Sequence, residues 1–166
     1  VATLDIGQPI DLSSISKQPF ISYDPSRYFC AYFKDDTMEA KVSIFTSGKL
    51  IAVGAKSEKS AKRDLMHTMG MLHRSMKTKD NVGDITIRNV VITVDLGHDI
   101  DLEILQANHS GAIYEPEQFP GAVMRSTQHD ASVLAFATGK LVIAGLKSTK
   151  SMTRIVEEVV EELGLA

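Results

Sequence analysis

FTSGKLIAVGAKS (Phe45–Ser57) and FATGKLVIAGLKS (Phe136–Ser148) are two copies of one pattern. Phe45, Gly48, Lys49, Leu50, Gly54 and Lys56 recur at an offset of 91 as Phe136, Gly139, Lys140, Leu141, Gly145 and Lys147. The repeat extends outward in both directions. Upstream, Tyr23 and Pro25 recur as Tyr114 and Pro116. Further up the offset becomes 90, so that Val1, Thr3, Asp5 and Gly7 recur as Val91, Thr93, Asp95 and Gly97, and Ile10-Asp11-Leu12 as Ile100-Asp101-Leu102. So many matches carried through a single one-residue insertion identify an internal duplication, which sets the fold before any single element does. The repeats are assigned to residues 1–80 and 81–166, with Asp80–Asp84 as the link.

Each copy predicts the same order of elements. Ala2–Ile6 alternates as a strand, and Leu12–Ser16 is expected to be a short helix. Tyr28–Lys34, Val42–Thr46 and Lys49–Ala55 predict strands, the last two joined by a tight turn at Ser47-Gly48. Ser57 then caps a helix with apolar residues Ala61, Leu65, Met69, Leu72 and Met76 on one side. In the second copy Ser148 is the expected cap, and Met152, Ile155, Val156, Val159 and Leu163 form the stripe. The fold class is α+β: antiparallel strands with helices packed on one face only.

The uncovered face is the informative one. With Leu50 and Ala52 turned to the helix, Ile51 and Val53 point away from it, since side chains alternate along a strand. Val1 and Thr3, Val91 and Thr93, and Val142 and Ala144 continue the pattern. A large apolar face left open marks a binding surface. Duplex DNA entered through the minor groove fits it, because proteins there read width and deformability and wedge apolar side chains between base steps. Phe119 with Phe136 supplies one aromatic pair, and Tyr28 or Phe29 with Phe45 the other. A homodimer through the same face is the competing occupant.

Composition limits the rest. The net charge of −3 runs against phosphate binding, so the case for DNA rests on where groups sit. Cys30 is the single cysteine, which excludes an internal disulfide. No apolar run approaches a membrane span. Enzyme readings are weak. His67 and His73 are six residues apart on a helix and do not share a face, and His98 among Asp95, Asp99 and Asp101 reads as a solvated turn. Gly48-Lys49 and Gly139-Lys140 are hairpins, not phosphate loops, as no helix follows the lysine. Neither a cofactor nor a metal is called for.

The paired motifs above, with YEPEQFPG (Tyr114–Gly121) and IRNVVITVDLG (Ile87–Gly97), resemble the core of TATA-box-binding proteins over essentially the whole chain, and YEPEQFPG is especially similar to the archaeal members. The resemblance implies a saddle of about ten antiparallel strands with four helices on its convex side, acting as a non-enzymatic initiation factor that bends promoter DNA. It implies intercalation by Phe45, Phe119 and Phe136, with Tyr28 at the fourth wedge position and Phe29 next to it. It assigns Asn89 to base acceptors and Val1 and Val91 to the groove wall, where Thr3, Thr93, Ile51, Val53, Val142 and Ala144 also lie by alternation. Arg27, Lys34, Lys49, Arg125 and Lys140 would meet phosphates. Glu115 and Glu117 would meet transcription factor B, and RNA polymerase would follow through that factor. The place of action would be the cytoplasm or nucleoid of an archaeon, or the nucleus of a eukaryote. The chain departs from the family pattern at Glu39 and Asp130, where basic residues are usual, at Val53 and Ala144 in place of threonine, and in the first loop, YDPSRYFCAYFK. An alternative class is a protein-binding regulatory relative with weak DNA binding.

Overall fold

A computed structural model describes residues 1–76 and 83–165. They form two compact units, Val1–Arg88 and Asn89–Ala166. The expected boundary at 80/81 lies outside the described residues. Thr86–Ile87 belong with the first unit, because they pair with Thr3 and Ala2.

The first unit runs β1 (Ala2–Asp5), α1 (Leu12–Ile15), β2 (Ile21–Ser22), β3 (Cys30–Phe33), β4 (Lys41–Phe45), β5 (Lys49–Val53), α2 (Glu58–Ser75) and β6 (Thr86–Ile87). Its antiparallel sheet has the order β2-β3-β4-β5-β1-β6. The second unit runs β7 (Val90–Asp95), α3 (Leu102–Asn108), β8 (Gly121–Arg125), β9 (Ser132–Phe136), β10 (Lys140–Leu146) and α4 (Met152–Glu162). Its antiparallel sheet has the order β7-β10-β9-β8. The ten described strands thus form sheets of six and four, with four helices.

The duplication is visible bond by bond. Asp11 and Asp101 cap α1 and α3, accepting from the Ser13 N–H at 3.0 Å and the Glu103 N–H at 3.1 Å. The Gly48 N–H donates to Phe45 O and the Gly139 N–H to Phe136 O, both at 2.9 Å. Glycine is required at both turns. φ is +91° and +82°, and a Cβ would lie 2.2 Å from Gln8 O or 1.9 Å from His98 O.

One helix per unit closes the core. α2 packs on β1, β4 and β5 and buries Ala61, Leu65, Met69 and Leu72 against Leu4, Val42, Leu50 and Ala52. Ser57 caps it through a reciprocal pair with Ser60. In the second unit Ser148 is not the cap. Its hydroxyl accepts from the Lys150 N–H, closing a local turn, and α4 starts three residues later behind Ser151. The shorter helix still buries Val159, while Met152 at the head of the expected stripe is exposed.

Candidate nucleic-acid interface

On the second sheet, the residues turned from the helices form registered rows. Val123, Leu134, Val142 and Thr93 are successive cross-strand partners. Ser132, Ala144 and Val91 make the next row, with Val91 54% exposed. Their neighbours Val133, Ala135, Leu141 and Ile143 are at most 1% exposed, so the alternation separates core from open face. The face is apolar, without cations in its middle.

Two residues along the strands from the Val123–Leu134 pair, where Gly121 faces Phe136, stand the aromatics. Gln118 and Phe119 N–H groups both donate to Glu115 O at 2.9 Å, a turn that brings Phe119 back toward the sheet. Its ring meets Phe136 edge-on, with centroids 5.8 Å apart and planes at 61°. Gly121 is the floor of this pair; a Cβ there would lie 3.0 Å from Phe119 and 3.2 Å from Phe136. Asn89 Oδ1 accepts from the Gly145 N–H at 2.9 Å. That bond fixes which end of the amide is the acceptor, and directs its donor end elsewhere.

The first unit repeats the turn but not the aromatic pair. Arg27 and Tyr28 N–H groups donate to Asp24 O at 3.1 and 2.9 Å, the counterpart of the second turn at the same offset of 91. Cys30 takes the place of Gly121 and is buried opposite Phe45. The Tyr28 ring stands edge-on to Tyr32, with centroids at 5.5 Å, and Phe29 is 95% exposed. Tyr28 and Phe29 precede β3 rather than opening it. Ile51 and Val53 lie on the open face as the alternation requires, with Val53 exposed and Val1 exposed beside them. Thr3 differs from its expected role. It is on that face, opposite Ile51, yet it is buried, and its hydroxyl accepts from Arg88 Nε at 3.2 Å. The arginine covers the threonine and presents itself in its place.

Charge is arranged around these faces largely as pairs. Arg27 lies 3.6 Å from Asp24, and Lys34 Nζ donates to Glu39 O at 3.0 Å. Lys49 and Lys140 are exposed and stand in register with Asp5 and Asp95. Arg125 bridges Asp130 at 2.9 Å, with Lys147 3.8 Å from the same carboxylate. The two acidic departures have different roles. The Glu39 carboxylate accepts from the Lys56 N–H, at the start of α2, and the Ser60 hydroxyl together with that N–H holds it below the usual range. It therefore serves the helix start. Asp130 pairs with Arg125, one of the cations expected to meet phosphate, and with Lys147. Glu115 and Glu117 are exposed on the second turn.

The chain matches the family model "Transcription factor TFIID (or TATA-binding protein, TBP)" over residues 1–75 and 84–165. It belongs to the TATA-binding protein family. A TATA-box-binding protein of Cenarchaeum symbiosum is 34% identical over 93% of this chain and 85% of its own length. One from Archaeoglobus fulgidus is 33% identical over 98% of this chain and 91% of its own length. The solved Methanococcus jannaschii TBP superposes with a TM-score of 0.84 at 30% identity, covering 99% of this chain and 95% of that one. This is the α+β TATA-binding protein fold, in a family of DNA-binding transcription factors and not of enzymes. No helix among the described residues is long and apolar enough to cross a membrane. The sequence reading missed Arg88 and the Lys41–Tyr32 contact, in which Nζ sits 4.1 Å above the ring. Strand alternation would have placed Arg88 on the open face had the short strand before it been recognised.

Proposed function

We propose that the chain binds a TATA-like element of promoter DNA through the minor groove, bends it, and acts in transcription initiation. The observation that carries this is the Phe119–Phe136 pair, edge-on over Gly121, two residues along the strands from the apolar Val123–Leu134–Val142 row. Such rings can enter a base step, and the apolar face then covers the widened groove. Partial unstacking costs about a few kcal/mol per step and is offset by the wrapped surface. Each repeat, 1–80 and 81–166, contributes its own open face. Asn89 and the Val1, Val91, Thr93, Ile51, Val53, Val142 and Ala144 side chains line the groove. Arg27, Lys34, Lys49, Arg125 and Lys140 take the phosphates. Surface ion pairs of the kind seen here contribute only about 0–1 kcal/mol, so phosphate can replace their carboxylates.

Transcription factor B is the next partner in this reading, met through Glu115 and Glu117, and RNA polymerase follows through it. In the absence of DNA, a second copy of the chain is the occupant of the apolar face. A protein-binding regulatory role is the second reading, favoured by the neutralisation of Arg125 and Lys147 by Asp130.

The test is a salt series of binding to a TATA-containing and a scrambled duplex, with energy transfer between end labels to report bending. Phe119→Ala with Phe136→Ala should reduce the bend. An unchanged bend without both rings would refute the wedge, and no preference for the TATA duplex in the wild-type chain would favour the regulatory reading.

A further inference from the structure

We propose that Arg88 reads the minor-groove edge of the bases and selects A·T over G·C pairs at its position; this rests on the DNA-binding role proposed above. Arg88 extends the edge strand β6, its N–H donating to Val1 O at 2.9 Å. Thr86 pairs with Thr3, so alternation puts Arg88 on the same, open side as Thr86 and Val1. Its Nε donates to Thr3 Oγ1, and this anchor holds the side chain along the sheet surface rather than leaving it to the solvent. Arg27, Lys34 and Arg125 are engaged with Asp24, the Glu39 carbonyl and Asp130. Among the described residues the Arg88 side chain donates to a neutral hydroxyl, and that contact does not cancel its positive charge.

The chemistry of a guanidinium fits this place. It carries five N–H donors and accepts nothing. With Nε directed at Thr3, the two terminal nitrogens form the leading edge. The minor groove at A·T pairs displays only acceptors, whereas G·C adds the guanine amine, a donor that meets another donor unfavourably. An arginine is also drawn by the negative potential of a narrow A·T groove. Thr3 is thus a positioning residue: its hydroxyl orients the arginine instead of touching the DNA itself.

The experiment compares wild type, Arg88→Lys, Arg88→Ala and Thr3→Val on an A·T-rich site and on the same duplex with single G·C substitutions, each over a range of salt. Base reading predicts that Arg88→Ala reduces discrimination at one position by about tenfold, the scale of one directed base contact. Arg88→Lys keeps the charge but should not restore discrimination, and Thr3→Val should lose part of it with Arg88 intact. A uniform loss on all duplexes, with a salt slope shallower by about one and recovered by lysine, would overturn base reading and make Arg88 a phosphate contact. No change in any variant would overturn the proposal outright. If the wild-type chain itself shows no preference for the A·T-rich site, the DNA-binding reading fails as well, a result separable from these. Urea unfolding of each variant guards against a folding defect.

Discussion

Gly121→Ala puts the wedge geometry to a sharp test. The added methyl would lie 2.8 Å from Ala135 O, 3.0 Å from Phe119 Cε1 and 3.2 Å from Phe136 Cδ1. The rings can turn aside; the carbonyl cannot, because it belongs to β9, paired to β8 across this residue. Forcing one carbon into such a site costs about 1–3 kcal/mol. Turning the rings forfeits their edge-on contact, about 0.5–1.5 kcal/mol. Together these come to about 1.5–4.5 kcal/mol, read as a lower urea midpoint at unchanged slope. Combining Gly121→Ala with Phe119→Ala should recover the ring's share, so the double variant should be less destabilised than the two changes added. On DNA, the Gly121→Ala variant should show a smaller bend than wild type in energy transfer. A variant that melts within about 0.5 kcal/mol of wild type, or bends DNA equally, would refute the claim that this glycine holds the rings in their working position.

Asn89→Asp keeps the oxygen that accepts from Gly145 but replaces the amide donors, so affinity for an A·T-rich duplex should fall about tenfold or more while the urea midpoint stays; full A·T-rich affinity would remove Asn89 from base reading. Asp35 is held down from 3.8 to about 2, first by the Thr37 hydroxyl at 2.6 Å and then by His67. Its folded value is depressed, so its stabilisation is complete above the unfolded value and lost as pH falls from near 4 toward 2. Asp35→Asn should remove that portion of the acid dependence, about 1 kcal/mol after solvent screening, and an acid-unfolding curve identical to wild type would show that the carboxylate contributes nothing.

The duplication carried most of the fold. The paired turns at Gly48 and Gly139 reinforce one another and both form, whereas of the two expected serine caps only Ser57 forms; the Asp11 and Asp101 caps, not singled out in the sequence, also come as a pair. Ser148 misled because a serine hydroxyl can close a turn on Lys150 as readily as it caps a helix; nothing local distinguishes the two. Tyr28 illustrates the limit at the site. Its backbone turn matches that of Phe119, and so alignment places both at a wedge. The ring meets Tyr32, four residues on, where the second repeat has Val123, and Cys30 stands where that repeat has Gly121. The sequence shows both substitutions, but not whether the ring turns to Tyr32 or to Phe45, which faces Cys30 across the strands.

The negative charge, which spoke against nucleic acid, has a local explanation. Glu39 and Asp64 serve the fold: Asp64 accepts from the Glu39 and Ala40 N–H groups at 2.9 and 2.7 Å, and Glu39 accepts at the start of α2. Glu162 accepts from Ser126 and Thr127, and Glu158 pairs with Arg154 and His129. These carboxylates tie loops to helices on the side away from the apolar rows, and their charge is spent there. Across the open faces the balance is different. Val91, Val123, Val142, Ile51 and Val53 carry no charge, and Arg88 adds a cation. Steering by net charge would be weak for such a molecule, and association with DNA correspondingly slower than for a basic protein. What remains to hold the duplex is the surface itself: apolar area, two preset rings, and a small number of directed donors. That combination favours a groove that can be opened over one that is merely negative, which is why deformability of the DNA, more than its charge, would govern where this chain settles.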